Sequence, residues 1–357
     1  MRYHRFLVPA VLAIVLSTSA MGQPTLSPGP VPIEVRARAL PSFAIGDTER
    51  RIFGDLEWIG GLELTSANRH FGALSGISVN SDGRRFTAVT DNGFWVAGTI
   101  VKSSDGTPIG LGDVTLAPML DRAGNVLNLK NAADAESIDR LEQDGQTVFL
   151  VAFERRHRIE TYVAASDFSS KPHPWPAPAA IRRLRANKGI ETVAVGRPAT
   201  KSDGLVVLIA ERGQPAGADI PGWLSRGSGQ TGSFSVRQRN DFDVTDAAFL
   251  PDGDLMLLER RFNYRDGIHM RLRRIPLTAL RPGTVVDGPI VARADFTDQI
   301  DNMEGLSVHE EPDGGIVLTL VSDDNRSILQ RTLLLQFRLR QPEGSARPLA
   351  RPRSATE

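Results

Sequence analysis

Apolar residues in this chain come in short runs rich in β-branched and aromatic side chains, and several of these runs end on an acid. FTAVTD ends at Asp91, VFLVAFE at Glu154, LVVLIAE at Glu211, LMLLE at Glu259 and VLTLVSD at Asp323. Helical 3.6-residue periodicity is nearly absent, so the runs predict strands. Each is preceded by a second apolar stretch, which opens at Ser75-Gly76-Ile77, Glu136-Ser137-Ile138, Glu191-Thr192-Val193, Thr245-Asp246-Ala247 or Glu304-Gly305-Leu306. The opening positions 75, 136, 191, 245 and 304 are 61, 55, 54 and 59 residues apart. Between each opening and closing stretch lies an Asp-Gly pair: Asp82-Gly83, Asp144-Gly145, Asp203-Gly204, Asp252-Gly253 and Asp313-Gly314. Asp-Gly supplies the positive φ that a tight hairpin needs. Each repeat therefore begins as strand, turn, strand.

Less regular strands follow in each repeat, among them RIETYVAA, FSVRQR, HMRLRRIPL and TLLLQFRLR. A period near 57 residues, with acids and turns at matching points, predicts an all-β fold, a β-propeller of five blades. The last repeat is short of strands after Phe337. EVRARALPSF and RIFGDLEWIGGLELTS near the N-terminus are expected to complete it and close the ring, which removes exposed sheet edges. Six blades would follow if residues 33–73 built a blade of their own. Residues 33–340 read as one domain, with a Pro-rich leader at 23–32 and a disordered tail at 341–357. The Pro-rich stretch 166–188 reads as a surface excursion. The Gly-rich stretch 212–232 reads as a long loop with a functional role.

Composition narrows the function. Residues 1–22 have a basic start (Arg2, His4, Arg5), an apolar core and small residues after it, as in an export signal peptide; a retained membrane anchor is the alternative. A periplasmic or secreted location is expected, with no membrane span after cleavage. Removing that segment takes two of the 42 basic residues and none of the 42 acidic ones. A near-neutral chain has no global basic field for nucleic acid. The absence of cysteine excludes thiolate nucleophiles, iron–sulfur clusters and cysteine zinc sites. No HExxH, P-loop or dinucleotide fingerprint is present.

In a propeller the innermost strands line the axis, so acids at their starts and at the ends of their neighbours would converge on one mouth. Converging carboxylates repel unless a cation neutralises them or protons are shared. Calcium suits such a set, taking six to eight hard oxygen ligands. The metal candidates are Asp91, Asn92, Glu154, Glu211, Glu259, Asp323 and Asp324. Glu136, Glu191 and Glu304 are candidate general bases. Three arginines follow closing acids directly, Arg155, Arg212 and Arg260; they either pair with neighbouring blades or hold a substrate phosphate.

LSGISVNSDGRRFTAVTDNG, DAESIDR, NKGIETVAV, TDAAFLPDGDLMLLERRF and DNMEGLSVHEEPDGGIVLTLVSDDN together resemble the bacterial "esterase-like activity of phytase" family, over residues 72–325. The resemblance implies an exported propeller-like β fold with many acids, and hydrolysis of a phosphoester or phosphodiester. It carries over Asp91, Glu136, Glu154, Glu191, Glu211, Glu259, Glu304 and Asp323, and Ser75 and Thr245 depart from an all-acid ring. Two functions are therefore expected to compete. One is a calcium-dependent hydrolase, monomeric, acting on a small phosphate ester. The other is a non-catalytic propeller that binds a ligand or a partner protein.

Overall fold

All five Asp-Gly glycines adopt positive φ, from 66° at Gly83 to 97° at Gly253, and each turns the chain from the first to the second strand of a blade. The computed structural model describes residues 28–127, 130–226 and 229–340. The expected signal peptide, the leader up to residue 27 and the tail 341–357 lie outside the described residues.

The strands form five antiparallel sheets. Blade 1 runs outward through Leu74–Val79, Arg85–Thr90, Phe94–Lys102 and Pro108–Pro118. Blade 2 consists of Ala135–Gln143, Gln146–Phe153, Arg158–Val163 and the short His173–Pro174. Blade 3 is Ile190–Val195, Leu205–Ala210, Ile220–Arg226 and Gly229–Val236, with Val285–Val286 added parallel at its edge. Blade 4 is Asp243–Phe249, Leu255–Asn263, Gly267–Ile275 and Ile290–Ala294. Blade 5 starts with Asn302–Glu310, Ile316–Asp323 and Thr332–Leu339, and is completed by Leu56–Thr65 and Arg36–Leu40 from the N-terminal part.

The ring thus closes as the sequence pattern predicts. Leu56–Thr65 pairs antiparallel with Thr332–Leu339, joining the two ends of the chain in one sheet. Val31–Pro32 continues past that blade to pair with the outer strand of blade 1. The stretch 33–73 adds strands to blade 5, so there are five blades and not six.

Two excursions differ from expectation. Residues 212–232 are largely not a loop. Ile220–Arg226 and the start of Gly229–Val236 form the outer hairpin of blade 3. Glycine serves packing there: a Cβ on Gly222 would lie 2.5 Å from the Phe234 ring. The Pro-rich stretch 166–188 carries the edge strand of blade 2, and buries Trp175 and Ile181 against blade 3.

The core lies between adjacent blades, as in the Phe43, Phe53, Trp58 and Phe337 cluster that seals the closure, with ring centroids 4.8–5.5 Å apart. Each buried side chain of this size contributes about 1.5–3 kcal/mol by leaving water. The five innermost strands pack side by side around the axis.

In every blade the opening residue identified from the sequence is a β-bulge. Ser75, Glu136, Glu191, Thr245 and Glu304 are each the extra, unpaired residue between two register partners on the neighbouring strand. A bulge re-aims its side chain and sharpens the local twist. Just beyond the bulges come Gly76, Ser137, Thr192, Asp246 and Gly305, which form a waist. A Cβ on Gly76 would lie 3.0 Å from Ile138 N, and one on Gly305 would lie 3.1 Å from Gly76 Cα. Ser137 Oγ donates to Asp246 Oδ1 (3.1 Å), and Leu306 N–H donates to Asp246 Oδ2 (2.7 Å). The axis is packed there, with one mouth on either side.

Candidate functional site

The mouth at the bulged end gathers carboxylates. From the bulges come Glu136, Glu191 and Glu304; from the closing strand ends come Asp91, Glu154, Glu211 and Asp323. Two residues before the bulges stand Asp134 and Asp243, which the sequence reading did not single out. Their signal was positional, since residues 134 and 243 hold the same place in their repeats. Of these nine acids, all but Asp91 and Glu304 are buried.

The register explains which residues reach the mouth. Leu74 pairs with Thr90, Ala135 with Phe153, Ile190 with Ala210 and Met303 with Ser322, so the next residue outward is Asp91, Glu154, Glu211 or Asp323. In blade 4, Val244 pairs with Glu259 and Asp243 with Arg260. Arg260 therefore holds the closing position, and Glu259 sits one residue short of it. A one-residue offset turns a side chain to the other face of the sheet. Glu259 is fully buried inside the blade, where Arg271 (2.7 and 3.0 Å) and Arg273 (3.0 and 2.6 Å) each grip it with two hydrogen bonds. The expectation that Glu259 joins the ring of closing acids is corrected accordingly.

Five cations answer the nine acids. Lys130 pairs with Asp91 and with Asp134 (2.8 Å), and Arg155 pairs with Asp134 as well. Lys188 donates to Glu211 (2.6 Å). Arg212 makes a two-pronged pair with Asp243. Arg260 lies 3.7 Å from Glu211 and 3.6 Å from Glu304, beyond hydrogen-bond length from either. Of the three arginines named from the sequence, Arg155 and Arg212 are thus hydrogen-bonded to carboxylates, and Arg260 makes only the two longer ion pairs.

Two further residues named from the sequence serve turns. Asp324 accepts from the Ala73 and Arg326 N–H groups (3.0 and 2.9 Å) and from the Thr332 hydroxyl (2.8 Å), tying blade 5 to the entry of blade 1. Asn92 accepts from the Thr90 hydroxyl in the turn after Asp91.

The uncompensated acids show in the electrostatics. Burial, then the charges of Glu191, Glu304, Asp134 and Glu154, push the Glu136 carboxyl well above its usual range. Burial with Glu211, Glu154 and Glu304 does the same to Glu191. Glu154 and Glu304 are raised to about 7, by burial above all. Burial with Glu304 and Asp91 raises Asp323. Asn302 donates to Glu304 (2.7 Å) and Gly189 N–H to Glu154 (2.8 Å). Among the described residues, no group donates a hydrogen bond to Glu136 or Glu191.

Such a set attracts a cation, and its geometry fits one. Asp134, Glu136 and Glu154 can bring one oxygen each within 4.8 Å of one another, and so can Glu154, Glu191 and Glu211. Ligands of one calcium sit about 2.3–2.6 Å from it and so up to about 5 Å from one another, which a group of this span matches. Glu154 belongs to both groups. One Asp91 oxygen is also buried without a partner.

A family model described as "Phytase-like: Esterase-like activity of phytase" matches residues 69–326. No curated protein matches the chain. Among solved structures it is similar to a glucose dehydrogenase, at 10% identity and a TM-score of 0.37, covering 78% of this chain and 98% of that one.

Proposed function

We propose, for a chain that belongs to the family of esterase-like activity of phytase, that the acidic mouth takes up calcium and hydrolyses a phosphate ester outside the cytoplasm. The observation that carries this reading is one juxtaposition. Two three-acid groups share Glu154, and beside them Arg260 lies without a hydrogen-bonding carboxylate. Calcium bound there would polarise the phosphoryl oxygens and offset their charge.

In this reading Asp134, Glu136, Glu154, Glu191 and Glu211 hold the cation. Arg260 points its guanidinium at the phosphoryl group, which suits a fork of N–H donors. Glu304 stands on the other side of Arg260 and outside both three-acid groups, so it is left to take the proton from the attacking water. As the water oxygen bonds to phosphorus, the ester P–O bond breaks, and the leaving oxygen takes its proton from solvent water at the open mouth.

The second reading, a binding propeller without turnover, is favoured by the ion pairs that Lys130, Arg155, Lys188 and Arg212 make with four of the acids. A panel of phosphomonoesters and phosphodiesters, assayed with calcium and with chelator, separates the two. Calcium-dependent turnover that falls about 10²–10⁴-fold in Glu304→Gln supports the hydrolase. Calcium binding without turnover by the wild-type protein on any ester supports the binding propeller.

A further inference from the structure

Beyond the waist, the axis opens again at the opposite end into a cavity of about 310 Å³. Its walls come from the far ends of the innermost strands, and it shares no side chain with the acidic mouth. The volume lies at the lower end of small-molecule sites.

The polar groups there are unevenly satisfied. Asp139 accepts from the backbone N–H groups of Arg140 (2.7 Å) and Val195 (2.8 Å), one on each oxygen. Glu142 accepts from the Thr147 hydroxyl (2.6 Å), and Asp203 from Ala199 N–H (3.0 Å). The carboxylates are thus served locally.

The two guanidinium groups are not. Among the described residues, neither Arg140 nor Arg197 has a carboxylate within 4.0 Å. Arg197 spends two donors on the carbonyls of Phe249 (3.2 Å) and Val308, which pins it at the junction of blades 4 and 5. Arg140 Nε is buried with no acceptor. Asn80, which lines the cavity from the neighbouring blade, has its Oδ1 buried with no donor. Burial pulls both guanidinium groups below their ordinary range, as it does when a cation lacks a close counter-ion.

An orphaned acceptor and an orphaned cationic donor in one cavity call for a ligand that offers both complements. We propose that this second mouth binds a compact oxyanion that also carries an O–H group, such as hydrogen phosphate or a short hydroxycarboxylate. The oxyanion lies against Arg140 and Arg197, and its hydroxyl donates to Asn80 Oδ1. A plain dicarboxylate satisfies the arginines and leaves Asn80 without a donor, so it binds more weakly. The proposal does not depend on what the acidic mouth does.

The test is calorimetric titration of the full chain in chelator, with inorganic phosphate, tartrate and malonate as probes. Phosphate or tartrate should bind in preference to malonate, and which of the two binds tighter identifies the source of the anion. Arg140→Gln should weaken binding at least 10-fold, and Asn80→Asp should weaken it by charge repulsion. Arg140→Gln removes no side-chain hydrogen bond within the protein, so the fold should survive, and circular dichroism verifies that. The proposal is overturned if none of the probes binds, if malonate binds as tightly as phosphate and tartrate, or if Arg140→Gln binds as the wild type does.

Discussion

Arg260 Nη1 lies 3.6 Å from Glu304 Oε1, and this guanidinium occupies the position that the other four blades give to a carboxylate. The bulge of blade 4 carries Thr245 where blades 2, 3 and 5 carry glutamate, and blade 1 likewise carries a hydroxyl residue, Ser75, there. The closing position of blade 4 is therefore cationic where the other four are anionic. An anionic substrate that is also attracted to a bound cation would enter at that position.

Replacing this arginine should separate substrate binding from cation binding. In Arg260→Gln, kcat/KM toward a phosphate ester should fall about 10–100-fold, the range for losing charge-assisted hydrogen bonds worth about 1.5–3 kcal/mol. Calcium affinity should rise, because a competing positive charge has left the mouth. Steady-state kinetics and calcium titration of the same preparation check both. Unchanged kinetics would remove Arg260 from the substrate site.

Glu259 gives the contrasting case. Neutralising it leaves Arg271 and Arg273 buried without their shared partner, and breaking such a network costs about 3–5 kcal/mol. Glu259→Gln should therefore lower stability by that order in urea unfolding. Calcium affinity of the folded protein should stay at the wild-type value, because the side chain faces the blade interior. A selective loss of calcium binding with unchanged stability would place Glu259 back in the mouth.

The period, the Asp-Gly turns and the closure were legible in the sequence because each rests on local rules: alternation, positive φ at glycine, and the need to cover a sheet edge. The opening positions were legible for the same reason, although their being bulges was not, since a bulge is defined by the partner strand. The Glu259 assignment failed on register. Glu259 and Arg260 both follow LMLLE's apolar run, and composition alone does not say which of two neighbours faces the axis. The spacing held the answer: Arg260 comes seven residues after its turn glycine Gly253, as Glu211 does after Gly204. Asp134 and Asp243 were missed because the other three repeats carry Ala73, Gly189 and Asn302 at the same place, so an acid recurs there in only two repeats of five. The hairpin at 220–236 was missed because glycines that admit the Phe234 ring look like loop residues in one dimension.

His309 sets an acid limit on the fold away from the mouth. Its side chain is 1% exposed, both ring nitrogens lack partners, and burial with Lys102 and Arg197 lowers its pKa to about 4. A base with a depressed folded pKa contributes stability above its unfolded value, near 6.5, and loses it as pH falls toward 4. The window of about 2.5 units corresponds to about 3 kcal/mol. His309→Leu should therefore gain on the wild type by that order between pH 7 and pH 4 in urea unfolding. A pH-independent difference between the two proteins would show that His309 does not limit acid stability.

The carboxyls of the mouth act in the opposite direction, and calcium should reverse them. Glu154 and Glu304 are raised from 4.5 to about 7, and burial among like charges pushes Glu136 and Glu191 well above their usual range. A carboxyl held above its unfolded value binds its proton more tightly in the folded state. Its contribution is complete below about pH 4.5 and is lost as pH rises through 7 and beyond. In chelator, the mouth should therefore destabilise the protein progressively between about pH 5 and pH 8. Calcium competes with those protons, so its stabilising effect should be small at pH 5 and largest at pH 8. At a hundredfold excess over its dissociation constant it should add about 2.7 kcal/mol. Melting curves at several pH values, each with calcium and with chelator, give the shift directly. In Glu191→Gln the calcium shift at pH 8 should shrink, and the fall with pH in chelator should become shallower, since one of the repelling charges is gone. A calcium shift of the same size at pH 5 and pH 8 would mean that the cation binds elsewhere than among these acids.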